Sequence, residues 1–138
     1  MTNSPATYPL IDHAAKTLRA ANGRPLAEIT PEAVAAGAVS ADDLRISAAT
    51  LQAQATIAHE AGFPQLAANL TRAAELTAVP NDELLRMYTM LRPHRSTMAE
   101  LTALADTLQT EYHAQENARF IREAADVYQT RGLLKKTL

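Results

Sequence analysis

The chain has 138 residues and a formal net charge of -2, enough for about one domain and without an overall basic pull toward nucleic acid. It has no cysteine, which excludes disulfides, thiolate catalysis and Cys-ligated zinc or iron–sulfur centres. Much of its 47% hydrophobic share is alanine, with four Tyr, two Phe and no Trp, so the core is expected to be thin for the length.

The first 46 residues alternate short segments with breakers: Pro5, Pro9, Gly23, Pro25, Pro31 and Gly37. Asp12 is expected to cap a short helix through Ala20 that stops at Asn22-Gly23. Thr30-Pro31-Glu32 has the form of a helix start, a capping Thr followed by Pro at the first helical position and an acid. Gly37 ends that helix after less than two turns. Pieces this short need a surface to lie on, so residues 1–46 read as a wrapping arm and residues 47–138 as a helical domain. Strand period is confined to residues 44–46.

From Ser47 onward the 3.6-residue period dominates. Leu51, Ala55 and Ala58 line one face of a helix that Gly62 stops. A second helix is predicted from Pro64 to Thr77 with Leu66, Leu70, Ala73 and Ala74 on its inner face. Pro80-Asn81-Asp82-Glu83 opens a third, with Asn81 as cap and two acids suited to the N-terminal dipole. Its stripe is Leu84, Met87, Tyr88 and Leu91, and Pro93 closes it. Thr97 with Glu100 forms a capping box for a fourth helix carrying Leu101, Leu104, Ala105, Leu108 and Tyr112. The last helix has two adjacent apolar stripes, Phe120-Ala124-Val127 and Ile121-Ala125-Tyr128, a face wider than a small bundle requires. It ends at Gly132, before the basic pair Lys135-Lys136. The expected fold is all-α: an irregular N-terminal arm with short helices, then about five longer helices packed as a small bundle.

No catalytic constellation emerges from these elements. His13, His59, His94 and His113 form no His-Glu-x-x-His helix signature and read as exposed polar residues of helices. His113 and Glu116 share a face, but the second pair of a di-iron bundle is lacking. The glycines are isolated, so no phosphate loop is present, and no serine sits in a nucleophile elbow. Asp42-Asp43 and Asp82-Glu83 fall at helix starts, where capping accounts for them. Arg92-Pro93-His94-Arg95 concentrates charge; it suits an anion contact, carbonyl capping or the fixing of a partner chain, the last because Arg pairs bidentately with carboxylates and is enriched at interfaces. Glu75 is expected to pair with Arg72 three residues before it.

One stretch is recognisable. Arg72-Ala-Ala-Glu-Leu-Thr-Ala-Val-Pro-Asn-Asp82, then Tyr88 and Leu91-Arg92-Pro93-His94-Arg95-Ser96-Thr97, is similar to the signature of the small subunit of adenosylcobalamin-dependent diol and glycerol dehydratases. Tyr8-Pro9-Leu10, Asp43-Leu44-Arg45-Ile46-Ser47, Glu100-Leu101, Leu104-Ala105-Asp106 and Phe120-Ile121-Arg122-Glu123-Ala124 with Tyr128 extend the resemblance over nearly the whole chain. Asn81 departs from the family's Asp, and His94 from its aromatic residue.

The resemblance implies a lyase of large, medium and small chains, two copies of each. In that family a barrel in the large subunit holds substrate and metal ions, and cobalamin lies between large and medium subunits. An adenosyl radical abstracts hydrogen from a vicinal diol, and hydroxyl migration with loss of water gives an aldehyde. The small chain contacts mainly the large subunit, and neither cofactor nor catalytic residue is expected in it.

Interface roles are expected for Arg45, Arg72, Tyr88, Arg92, Arg95, Arg122 and Tyr128, with core packing as the alternative for the two tyrosines. A helical nucleic-acid-binding regulator built on Arg92, Arg95 and Lys135-Lys136 is the competitor, opposed by the acidic balance. A free-standing helical enzyme is the third reading, opposed by the missing constellations. No apolar run approaches the roughly 20 residues of a membrane span, and the first ten residues lack the pattern of a signal peptide, so a cytoplasmic location without membrane partners is expected. Microcompartment diol dehydratases carry an extension ahead of the Tyr-Pro-Leu region. Seven residues precede Tyr8 here, so this chain is not expected to direct encapsulation.

Overall fold

The computed structural model describes residues 6–136. Among them the chain forms α1 (Leu10–Ala14), α2 (Pro31–Ala35), α3 (Ala48–Glu60), α4 (Pro64–Leu76), α5 (Asn81–Met90), α6 (Met98–Thr110) and α7 (Gln115–Arg131), with 3₁₀ turns at Leu26–Glu28 and Ala41–Leu44. The expected all-α class, with short helices first and five longer ones after, is the class observed. The chain separates into two compact units, one ending at Ala74 and the other beginning at Glu75.

In the first unit, Pro9 rather than Asp12 occupies the N-cap of α1, and the helix stops at Ala14, well short of Ala20. The reason is tertiary. Arg19 and Ala20 are drawn into isolated antiparallel bridges with Pro25 and Ile46, and the Ala21 N–H donates to the Arg45 carbonyl at 2.8 Å. Residues 44–46 thus supply one bridge, and no strand forms among the described residues. Thr30 caps α2 as expected, its hydroxyl accepting from the Ala33 N–H at 3.2 Å, with Pro31 at the first helical position. Gly37, at φ 70, lets the Ala38 N–H reach back to the Ala33 carbonyl at 2.9 Å and close the helix end.

Asp43 ties this region together. Its Oδ2 accepts from the Ser40 backbone N–H at 2.7 Å and the Ser40 hydroxyl at 2.9 Å. Its Oδ1 accepts from Asn22 Nδ2 and Arg24 Nε, both at 2.6 Å. Asp43 is 4% exposed, and a carboxylate that far from water is tolerated because each oxygen has two donors. These bonds, the Ser40 backbone N–H foremost and Asn22 next, hold its carboxyl well below the usual carboxylate range.

Ser47 caps α3 through the Thr50 N–H at 3.1 Å, and Leu51, Ala55 and Ala58 face inward as their spacing requires. The inner face of α4 agrees in part with the predicted one. Ala74 is buried as predicted and Leu70 is partly so, but Ala67 is buried in place of Leu66, which is half exposed, and Ala73 is exposed. The largest apolar residue does not mark the buried face here, because alanines allow close approach.

The second unit has a conventional core. Leu101, Leu104, Ala105 and Leu108 on α6 pack with Ala118, Ile121 and Ala125 on α7, and Val79, Met87 and Ala114 complete the cluster. Leu101 and Leu108 are its largest fully buried side chains. The capping box at α6 is present: the Glu100 N–H donates to Thr97 Oγ1 at 3.2 Å and the Thr97 N–H to Glu100 Oε2 at 2.7 Å. Pro80, not Asn81, is the N-cap of α5 and offers no side-chain bond, so Asn81 is the first helical residue.

Ala114, at the N-cap of α7, likewise has no capping side chain. Glu75 supplies it from a distance: its carboxylate accepts from the Glu116 and Asn117 N–H groups at 2.9 Å each and from Asn117 Nδ2 at 2.6 Å. The sequence assigns Glu75 to Arg72 within one helix; the structure gives its oxygens three donors at the head of another.

Candidate interaction surface

Among the described residues no group of three or more His, Cys, Asp or Glu side chains could hold a metal ion, and no helix is long and apolar enough to cross a membrane. Of the four histidines, only His13 and His59 lie on helices. His94 and His113 sit in turns at φ 63 and 54, a left-handed conformation open to few non-glycine residues, so the helical placement expected for these two is corrected. A shallow groove of about 430 Å³ between α3 and α4 is lined by small and polar residues, His59 and Glu60 among them. Nothing in it resembles a reacting constellation.

The distinctive region lies at the C-terminal end of α5. The helix ends at Met90, with Leu91 as C-cap, and Arg92-Pro93-His94-Arg95 leads into α6. The segment after α7 secures this turn. Gly132, at φ 67, reverses the chain so that the Leu133 N–H returns to the Tyr128 carbonyl at 2.8 Å. The His94 N–H then donates to the Leu133 carbonyl at 2.7 Å, and the Lys135 N–H to the Ser96 carbonyl at 2.8 Å. Ser96 is buried, and its hydroxyl donates to the Met90 carbonyl at 2.8 Å. Tyr128 adds a bond from α7, its hydroxyl donating to the Leu91 carbonyl at 2.6 Å.

Seven interface residues were predicted from sequence, and their surroundings differ. Tyr88, Arg92 and Arg95 are exposed around this turn, and the two arginines form no ion pair among the described residues. Arg95 lines a polar groove of about 350 Å³ with Arg86, Met90, Ser96, Glu100 and Thr107. Tyr128 is half buried and supports the turn from inside, the packing alternative. Arg122 meets Asp106 at 2.7 Å, joining α7 to α6. Arg45 and Arg72 belong to the first unit: Arg45 lies 3.8 Å from Asp42, and the Arg72 guanidinium donates to Asn69. Tyr88 departs from its predicted place on the inner stripe of α5, being 65% exposed beside an equally exposed Leu85. Sequence reasoning missed Leu85, although its spacing to Tyr88 and Arg92, i, i+3 and i+7, puts the three on one line. On α7 the stripe of Ile121 and Ala125 is buried, while Phe120 and Val127 on the adjacent one are each about half exposed.

A family model for the dehydratase small subunit matches residues 4–135. The chain belongs to the dehydratase small-subunit family. It is 47% identical over 128 residues to the propanediol dehydratase small subunit of Salmonella typhimurium strain LT2, a match covering 93% of this chain and 74% of that one. The small subunit of the same name from Citrobacter freundii matches with the same identity and coverage. Membership in this family implies partner subunits.

Proposed function

We propose that this chain is the non-catalytic small subunit of a coenzyme-cobalamin-dependent propanediol or glycerol dehydratase, buttressing the large catalytic subunit of a complex that converts vicinal diols to aldehydes and water by a radical mechanism. The observation that carries the reading is the 47% identity to propanediol dehydratase small subunits across 93% of the chain. The helical surface adds support. It presents Tyr88 outward on α5 and Arg92 and Arg95 on the secured turn that follows, which suits a chain made to be held by another. In this reading adenosylcobalamin is held by the other subunits of the complex, and this chain supplies no catalytic residue. The partners are the large and medium subunits, two of each chain, in the cytoplasm.

The test is a tagged pull-down from native extract. Two co-purifying chains and cobalamin-dependent dehydration of propane-1,2-diol or glycerol in the eluate are expected. A chain that emerges alone, or an eluate whose diol dehydration is independent of cobalamin, overturns the proposal.

A further inference from the structure

We propose that Asn22-Gly23 is a site of spontaneous deamidation that the Asp43 cluster holds shut, and that the conversion, once made, keeps the cluster from re-forming. The inference concerns the first unit alone and does not depend on the subunit assignment.

Two structural demands place this dipeptide here. Gly23 has a φ of 87, in the left-handed region where a side chain is strained. Asn22 gives its Nδ2 to Asp43 Oδ1 at 2.6 Å, while its own Oδ1 accepts from the Arg24 N–H at 3.2 Å. The turn needs glycine and the buried carboxylate needs an amide donor. Side by side they form a pair open to ring closure, because no side chain shields the Gly23 nitrogen and nothing beyond its neighbours lies within 4 Å of where a Cβ would stand. Asn22 is exposed, so water reaches the site.

The chemistry needs no reagent but water. The Gly23 backbone nitrogen attacks Asn22 Cγ as it gives up its proton. A C–N bond forms, the Cγ–Nδ2 bond breaks, and Nδ2 departs with that proton as ammonia. Water then opens the cyclic imide at either carbonyl, leaving aspartate or its β-linked isomer at position 22. In the closed loop both reacting groups are occupied: the Gly23 N–H donates to the Ala20 carbonyl at 2.9 Å, and Nδ2 is held by Asp43. Reaction therefore requires local opening. Asp43 opposes it by fastening Asn22 and Arg24 through one oxygen and Ser40 through the other. After conversion to aspartate, an oxygen takes the place of the donor that met Asp43. Two negatively charged acceptors then face each other at a carboxylate only 4% exposed, and closure is opposed. In the β-linked isomer the backbone is lengthened as well.

The experiment holds the full-length chain warm at mildly alkaline pH. It follows the tryptic peptide between Arg19 and Arg45, uncut at Arg24-Pro25, by mass and by separation of the two isomers. Asn22 is expected to convert ahead of Asn69, Asn81 and Asn117, which lie on helices before Leu70, Asp82 and Ala118. Asp43→Ala is expected to speed conversion about 10-fold or more, since the rate follows the population of the open form. Ser40→Ala removes a single hydroxyl from the same carboxylate and serves where Asp43→Ala fails to fold; about 3-fold is expected. Asn22→Asp makes the product directly and is expected to lower the melting temperature by about 3–5 °C. An Asn22 that keeps its amide in wild type and in both cluster variants overturns the proposal. So do equal rates in wild type, Asp43→Ala and Ser40→Ala, because the cluster then gates nothing. Helical asparagines that convert as fast as Asn22 also overturn it, as does an Asn22→Asp chain that melts with wild type.

Discussion

The two units achieve order differently. In the unit ending at Ala74, Val39 and Leu51 are the only buried hydrophobics larger than alanine among the described residues; Ala20, Ala55, Ala58, Ala67 and Ala74 make up the rest. The unit beginning at Glu75 buries Val79, Met87, Leu101, Leu104, Leu108 and Ile121 in one cluster. Each buried methylene contributes about 0.8 kcal/mol, so the second unit draws on apolar burial in a way that the first does not. What the first has instead is polar fastening: the Asp43 cluster, the Thr30 and Ser47 caps and the backbone bridges of Ala20 and Arg19. A core poor in apolar mass moves the burden of specifying structure onto hydrogen bonds whose geometry must be met individually.

The largest effect expected from this contrast is in the second unit. Leu101→Ala, at a position with no exposure, should cost about 3–4 kcal/mol in urea denaturation, while Leu51→Ala in α3 should cost about 2 kcal/mol. Equal losses at the two sites would break the comparison.

The next effect belongs to the first unit. Asp43→Ala strands the donors of Ser40, Asn22 and Arg24, and the melting temperature should fall by about 5 °C. Amide exchange should accelerate across residues 20–46 and stay unchanged in α6.

The same carboxylate gives a pH dependence with a definite sign. Its folded-state pKa is depressed, so its contribution is complete above the unfolded value of about 4 and drains away as pH falls from there toward the lower folded value. Thermal melts from pH 5 to pH 2 should show a downward slope that Asp43→Asn flattens. The smallest effects are at single caps. Glu75→Gln should cost about 1 kcal/mol and loosen the first turn of α7, and Ser47→Ala about 0.5–1 kcal/mol at α3, both read by hydrogen exchange.

The same contrast marks how far the sequence could be read. Where a signal is local it holds: Thr30-Pro31, the Thr97–Glu100 box, and the stops at Gly37, Gly62 and Gly132 are all used as their residue types suggest. The α6 stripe is read correctly because its leucines are both large and periodic. The local cap expected at Asn81 falls to Pro80 instead, and the other errors arise where distant residues compete. The first helix is cut at Ala14 by pairing with Pro25 and Ile46, and Glu75 serves amides more than forty positions away. In α4 the rule that bulk marks the interior fails, because alanine-lined contacts leave Leu66 outside. Ser40-x-x-Asp43 was readable as a capping box, but its capture of Asn22 and Arg24 was not. Of the candidate surface, the charged turn was legible and Leu85 overlooked, since a periodicity search rewards inward stripes and passes over outward ones.

The pairing of His94 and Ser96 with Leu133 and Lys135 has a consequence in time as well as space. Synthesis runs from the N-terminus, so Leu133 and Lys135 leave the ribosome well after the turn that they secure. Until they do, the backbone groups of His94 and Ser96 have no tail to bond. Chains that stop short of Lys135 therefore lack part of what holds this turn.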